Sequence, residues 1–143
     1  MELQQIIERY QIAFNTIYRS VNTTIKEHVH DDITTDQFSI LQHISQQEAS
    51  TSTEIANTFG VGKSAVTALI NRLYEKDLII RERDQKDRRI VYLSLTDKGT
   101  ELVKQTEVEV YRFINEKLSY FSERDVEAFL NALEKLANLM ENN

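Results

Sequence analysis

One stretch, running from Ser52 to Leu73 (STEIANTFGVGKSAVTALINRL), limits what this chain can fold into more than any other. Ile55, Ala56 and Phe59 have the spacing of one face of a short helix. A second apolar face repeats at i, i+3, i+4 and i+7, through Val66, Leu69, Ile70 and Leu73. Gly60 stands between the two faces, where a left-handed backbone costs glycine nothing. The pattern predicts two helices joined by a tight turn.

Further residues indicate that the two helices pack closely against each other. Ala56 is small enough for the helices to cross closely, and Val61 is predicted to fill the corner between them. Thr51 and Glu54 have the spacing of a capping box that begins the first helix. These are the requirements of a helix-turn-helix, which presents its second helix to the major groove of DNA. We therefore predict a helix-turn-helix over residues 52–76.

The distribution of charge agrees with a nucleic-acid ligand, although the net charge of −6 does not. Nine of the 17 Lys and Arg residues, but only six of the 23 Asp and Glu residues, lie between Gly60 and Lys98. That segment carries +3 and the remainder −9, so one basic segment stands on an acidic body. Clustered charges can also be no more than a solvated surface. Because these charges accompany a helix-turn-helix, we favour a surface that faces DNA.

Two apolar stretches after the second helix predict a β-hairpin. LIIRER and RIVYLSL read as strands, with Val91, Leu93 and Leu95 on one face, and a polar tip from Asp84 to Arg88 joins them. A helix-turn-helix followed by such a hairpin is a winged helix, with the wing over 78–95 and the whole unit over 34–98. Basic residues at a wing tip are typical of a phosphate or minor-groove contact.

Long amphipathic helices are predicted on both sides of this unit. An N-terminal heptad seam runs through Leu3, Ile7, Tyr10, Phe14, Ile17 and Val21. A helix from Thr35 to Gln47 follows, one capped by Thr96 runs to Leu118, and a last one begins at Ser122. We expect 1–30 and 100–143 to dimerise. The predicted fold is mainly α (α+β): a single domain, 1–143, with six helices and a two- to three-stranded wing.

Composition and motifs bear on several other classes of protein. There is no cysteine for disulfides or thiolate metal sites, and no apolar run of about 20 residues for a membrane span. With no signal peptide at the N-terminus, we expect a cytoplasmic protein without membrane contact. His28, His30, Asp31 and Asp32 could ligate a metal, but a polar loop explains them better, and the role of His43 stays open.

Catalysis is disfavoured as well. The segment from Gly60 to Ser64 is similar to the end of a phosphate-binding loop, yet Asn57 occupies the first glycine position and the preceding element reads as a helix. No other pattern indicates a nucleophile or paired acids. We therefore expect no enzyme activity and no cofactor.

The wing carries the most specific motif, Arg83-Asp84 through Asp87-Arg88-Arg89, followed by Leu95-Thr96-x-x-Gly99. With the order of elements around it, this motif resembles the MarR family of bacterial transcription regulators over nearly the whole chain. The resemblance implies a homodimer joined by its outer helices, with a recognition helix in the major groove and a wing arginine in the minor groove. A winged helix used only for protein contacts is the alternative, but it would lack a basic wing.

The resemblance also implies roles for individual residues. It places the minor-groove arginine at Arg89 and the carboxylate that orients it at Asp87. With Lys86 as a phosphate contact, the predicted DNA-binding residues are Lys63, Ser64, Thr67, Asn71, Arg72, Lys86, Asp87, Arg88 and Arg89. Two of these have a plain alternative: Arg72 could pair with Glu75 at i+3, and Arg89 could be a solvated hairpin residue.

Departures from the family pattern limit what can be carried over. Gly62 stands at the N-cap of the recognition helix, and Ala68 where the family often has an arginine, so operator preference is not transferable. The cysteine of the redox sensors and the histidines of the zinc sensors are absent. We therefore expect a repressor on a pseudo-palindromic operator, released by a small aromatic or anionic effector bound between the lobes, or without an effector.

Overall fold

The computed structural model of the chain describes residues 1–30, 32–47, 50–60 and 62–142. Six helices and three short strands lie in these residues, which confirms the mainly helical fold class. They are α1 (Leu3–His28), α2 (Thr35–Ser45), β1 (Ser50–Thr51), α3 (Ser52–Phe59), α4 (Lys63–Glu75), β2 (Ile79–Arg83), β3 (Val91–Leu95), α5 (Asp97–Leu118) and α6 (Glu123–Glu141). The corner position predicted for Val61 and the loop position of Asp31 lie outside the described residues.

The chain divides into two compact units, and the boundary falls within α5. The first unit runs from Met1 to Val110 and contains the helix-turn-helix and the hairpin. The second begins at Tyr111 and contains the end of α5 and all of α6. The candidate site lies wholly in the first unit.

The core of the first unit lies under α4 and the hairpin. Ile25, Leu41, Ile55 and Leu73 from four different helices are completely buried, and Leu93 of β3 is 1% exposed. At about 25 cal/mol for each Å² of apolar surface buried, such side chains supply the main force that holds α4 in place.

Side chains at the N-caps begin α2 and α3, and the capping box predicted for Thr51 and Glu54 is present. Thr34 caps α2 and Thr51 caps α3, each in a complete capping box with the residue three positions on. Gly60 ends α3 with φ 63°, in the left-handed region, as predicted. The predicted α2 was slightly long, because the helix ends at Ser45 with Gln46 as its C-cap.

The three strands form one antiparallel sheet in the order β1-β3-β2. In the hairpin Arg81 lies opposite Leu93, and Arg83 lies opposite Val91. Directly opposed residues of an antiparallel pair point to the same side of the sheet. Arg81 and Arg83 therefore share the face of the buried Leu93, at the edge where β2 passes α4.

The motif Leu95-Thr96-x-x-Gly99 fixes the base of the hairpin. The Thr96 hydroxyl donates to the carbonyl of Asp77 at 2.7 Å and accepts from the N–H of Gly99 at 2.9 Å. A Cβ on Gly99 would stand 2.1 Å from the carbonyl oxygen of Leu78, so only glycine fits there. The motif thus holds the segment that precedes β2 against the start of α5.

Two helices leave their apolar faces in solvent. On α1, Leu3, Tyr10 and Ile17 are 72%, 56% and 63% exposed. None of the described residues of α6 is buried, and Phe129 is 63% exposed. Isolated apolar residues on a surface are ordinary, but stripes of this length mark a surface that another body covers.

Candidate nucleic-acid interface

The outward face of α4 carries four of the predicted DNA-binding residues. Val66, Ile70 and Leu73 are 1%, 3% and 0% exposed, so the opposite side of the helix must face solvent. The exposed residues are Lys63, Ser64, Thr67 and Arg72. Packing on one side of α4 thus presents a polar row on the other.

Arg72 is free to act on this surface. Its side chain forms no hydrogen bond or ion pair with any residue that the structure describes, so the alternative pairing with Glu75 is not seen. At the start of the helix Gly62 is the N-cap and supplies no side-chain hydrogen bond. The first N–H groups of α4 remain available beside Lys63.

Asn71 differs from its neighbours because it is half-buried and already has a partner. Its Oδ1 accepts a hydrogen bond of 2.8 Å from Nη1 of Arg81 on β2. The guanidinium carbon of Arg81 also lies 3.8 Å from the centre of the Tyr74 ring, a cation–π contact. Arg81 was not among the predicted site residues. Its position opposite Leu93 was the signal that could have identified it, once the register of the hairpin was known.

The wing tip brings together the two residues that the resemblance paired. Nε and Nη2 of Arg89 donate to the two carboxylate oxygens of Asp87, each at 3.0 Å, and the Arg89 backbone N–H donates to Oδ1 at 3.1 Å. The side chain of Arg89 is 91% exposed. The carboxylate therefore holds a guanidinium that is otherwise surrounded by solvent.

This pair perturbs the ionisation of both groups. Hydrogen bonds from the Arg89 side chain, and then from its backbone N–H, hold the pKa of the Asp87 carboxyl below its ordinary value. The same side-chain bond raises the pKa of Arg89. Both groups stay charged at neutral pH, as a fixed ion pair requires.

Hydrogen bonds within the wing loop hold this pair in place. Oδ2 of Asp84 accepts from the backbone N–H of Asp87 at 3.0 Å, and Nη1 of Arg83 donates to the carbonyl of Arg88 at 2.7 Å. Lys86 is exposed at the tip. The turn-forming roles of Arg83 and Asp84 went unrecognised in the sequence, although both belong to the quoted motif.

A concave surface connects the helix to the wing. This cavity of about 350 Å³ is open to solvent and lies between α4, the start of α3 and the inner edge of the hairpin. Its walls include Ser52, Thr67, Asn71, Arg81, Arg83 and Val91. Two arginines and an asparagine therefore line the space between α4 and the hairpin.

The remaining sequence candidates that the structure describes do not assemble into a second site. Nδ1 of His30 accepts from the backbone N–H of Asp32 at 3.0 Å, and His43 stacks edge-on against Phe59. Among the described residues, no group of three or more His, Asp or Glu side chains is placed to hold a metal ion. Likewise no helix within those residues is long and apolar enough to cross a membrane.

A helix-turn-helix joined to a basic hairpin with an arginine at its tip defines a winged-helix DNA-binding protein. Comparison with known proteins specifies the family, since the MarR family matches residues 33–91. The chain belongs to the MarR family and is a DNA-binding transcription regulator.

Individual relatives agree with this assignment. The chain is 29% identical to the HTH-type transcriptional repressor MdtR of Bacillus subtilis, over 96% of this chain and 89% of MdtR. It is 30% identical to the transcriptional regulator BldR of Sulfolobus solfataricus, with a TM-score of 0.76 over 96% of this chain and 99% of BldR. FabT of Streptococcus pneumoniae, solved in complex with DNA, shares the fold with a TM-score of 0.84 at 23% identity and 99% coverage of both chains.

Proposed function

We propose that this protein is a homodimeric repressor that binds a pseudo-palindromic operator, with α4 in the major groove and the wing tip in the adjacent minor groove. The observation that carries the proposal is the bidentate Asp87–Arg89 pair at the wing tip, in which the Arg89 side chain is 91% exposed. An exposed ion pair contributes little to the stability of the fold. The fixed geometry of this pair is therefore better explained by ligand binding than by folding. A narrow minor groove attracts arginine by its focused negative potential.

On this proposal, the residues of α4 divide into base and phosphate contacts. Ser64, Thr67 and Arg72 reach the major groove, and Lys63 and Lys86 neutralise phosphates. Arg88 contacts the DNA phosphate backbone next to Lys86. The MdtR relative is a repressor, which supports repression as the outcome of binding. A protein of this function works in the cytoplasm and catalyses no reaction.

The Asp87–Arg89 pair gives the proposal its sharpest test. Arg89→Ala should weaken operator binding, and Asp87→Ala should weaken it too, although it removes a negative charge beside DNA. Without the Asp87 carboxylate the Arg89 side chain is free to rotate, and fixing it when DNA binds costs conformational entropy and so lowers the affinity. Glu82→Ala is the matched control: it removes an exposed carboxylate of the same hairpin that forms no hydrogen bond or ion pair with any residue the structure describes, and binding should stay equal or tighten.

Fluorescence anisotropy at two salt concentrations measures these affinities. The probe is a 30-bp duplex recovered by selecting bound DNA from a random pool, and affinity should fall steeply with salt. If Asp87→Ala binds as tightly as Glu82→Ala, the buttressing role of Asp87 is wrong. Selection repeated with small aromatic and anionic molecules separates an effector-released repressor from one without an effector.

The dimer rests on the exposed apolar faces of α1 and α6. Two recognition helices on a two-fold axis meet major grooves about 34 Å apart, so footprints should show two inverted half-sites. Sedimentation at micromolar concentration should give twice the chain mass of 16.7 kDa. Leu133→Asp, on the exposed face of α6, should give single chains that remain helical by circular dichroism. A parent that sediments as a single chain would contradict the two-fold architecture.

A further inference from the structure

We propose that Arg81 is a phosphate-binding residue of the DNA interface, held in its binding position by Asn71 and Tyr74, and that Asn71 acts through Arg81 and not by reading a base. This inference rests on the proposed placement of α4 and the wing. It adds one residue to the DNA-contacting set and changes the role of another.

The geometry of adjoining DNA grooves explains why Arg81 would meet a phosphate. A major groove and the neighbouring minor groove are separated by a single sugar–phosphate strand. When α4 occupies one groove and Arg89 the other, that strand must pass between the helix and the wing tip. The open cavity between α4 and the strands that lead to the wing tip is lined by Arg81 and Arg83, so we place the strand along this cavity.

Two contacts hold the Arg81 side chain in this position. Oδ1 of Asn71 accepts from Nη1 at 2.8 Å, and the Tyr74 ring lies 3.8 Å beneath the guanidinium carbon. Tyr74 is itself 47% exposed, so this stack is not a core contact. A flexible arginine loses rotamer freedom when it binds, and fixing it beforehand removes most of that cost. The N–H groups that do not bond to Asn71 remain for a phosphate.

The same hydrogen bond limits what Asn71 can read. Arginine offers only donors, so the amide atom that faces it must be the carbonyl oxygen. Recognition of adenine by asparagine uses both the oxygen and the nitrogen of the amide. The bond to Arg81 takes one of the two lone pairs of Oδ1 and fixes the direction of the amide, so we assign Asn71 as a positioning residue of the phosphate contact.

The test compares affinities on two duplexes: the selected 30-bp duplex and a shuffled duplex of the same composition. Arg81→Ala should weaken binding to both by about tenfold per protomer and lower the salt slope by about one per protomer. Arg81→Lys should keep the salt slope but bind more weakly than the parent, because lysine has no planar fork to stack and bond. Lys104→Ala, which removes an exposed positive charge from α5, should bind like the parent.

Asn71 is tested by a double-mutant cycle with Arg81. Asn71→Ala should weaken binding to both duplexes by the same factor, about threefold, and should have no effect in the Arg81→Ala background. A base-reading asparagine would instead lose affinity only for the selected duplex, and its effect would persist without Arg81. Either of those results overturns the positioning role of Asn71.

The outcomes also separate this inference from the proposed function. If the parent binds the selected duplex and Arg81→Ala matches it in affinity and salt slope, Arg81 contacts no phosphate and the proposed function stands. If the parent binds neither duplex, both the proposed function and the role of Arg81 are wrong. Arg81 is exposed, so its variants should fold, and equal melting temperatures by circular dichroism verify this.

Discussion

The recognition helix α4 and the wing tip both present side chains to solvent, but different forces place them. Val66, Ile70 and Leu73 bury one side of α4, and the polar row on its other side follows from helical geometry. Arg89 at the wing tip is placed by one carboxylate and one short loop. Because α4 is held by packing on its buried side, its exposed residues can be exchanged without moving the helix, whereas the guanidinium of Arg89 depends on the carboxylate of Asp87 for its position.

The largest effect expected from this difference is on stability, behind α4. Leu73→Ala should lower the free energy of unfolding by about 2–5 kcal/mol, because it leaves a cavity at a completely buried position. Arg72→Ala, one position earlier and exposed, should change it by less than about 0.5 kcal/mol while weakening DNA binding. Urea unfolding measures both variants. Equal destabilisation by the two would show that packing does not place α4.

The base of the wing should show an intermediate effect. Gly99→Ala should cost about 1–3 kcal/mol of stability, because the new Cβ meets the carbonyl oxygen of Leu78 and the backbone must shift. Gly62→Ala is the matched control, since a Cβ there meets no atom within 4 Å, and it should cost less than about 1 kcal/mol. Thermal unfolding compares the two. A Gly99→Ala variant as stable as the parent would mean that this close approach relaxes freely.

At the wing tip the effect on stability should be the smallest, and ionisation is the better measure. The pKa of Asp87 is depressed in the folded chain, so the pair with Arg89 is present at neutral pH and is lost as pH falls through that depressed value. In Arg89→Ala the pKa should rise toward the ordinary aspartate value of about 3.9. Carboxyl carbon NMR follows the titration. An unchanged pKa would show that Arg89 does not hold the carboxylate in solution.

Much of the fold could be predicted because its signals are local. The capping box at Thr51 and Glu54 and the left-handed turn at Gly60 involve residues at most four positions apart. The pairing of Asp87 with Arg89 is equally local, and the resemblance to the family indicated it before any geometry was known. The roles of the predicted DNA-binding residues themselves remain predictions until binding is measured.

The contacts that escaped prediction join residues from different elements. Asn71 was predicted as a DNA-binding residue of the second helix, and nothing in that helical pattern indicated what β2 places beside it. Arg81 reaches Asn71 only because the hairpin register sets it opposite Leu93, on the side of the sheet that meets α4.

The sequence by itself determined the helices, the wing and the family, since each depends on residues a few positions apart and on alternation of apolar and polar side chains. Only the tertiary structure decided which side chains from different elements bond to each other. Asn71 and Arg81 are ten positions apart in the chain, and the two meet because the hydrophobic core packs the hairpin against the helix. A hydrogen bond of that kind is set by the positions of whole elements, and no local pattern encodes those positions.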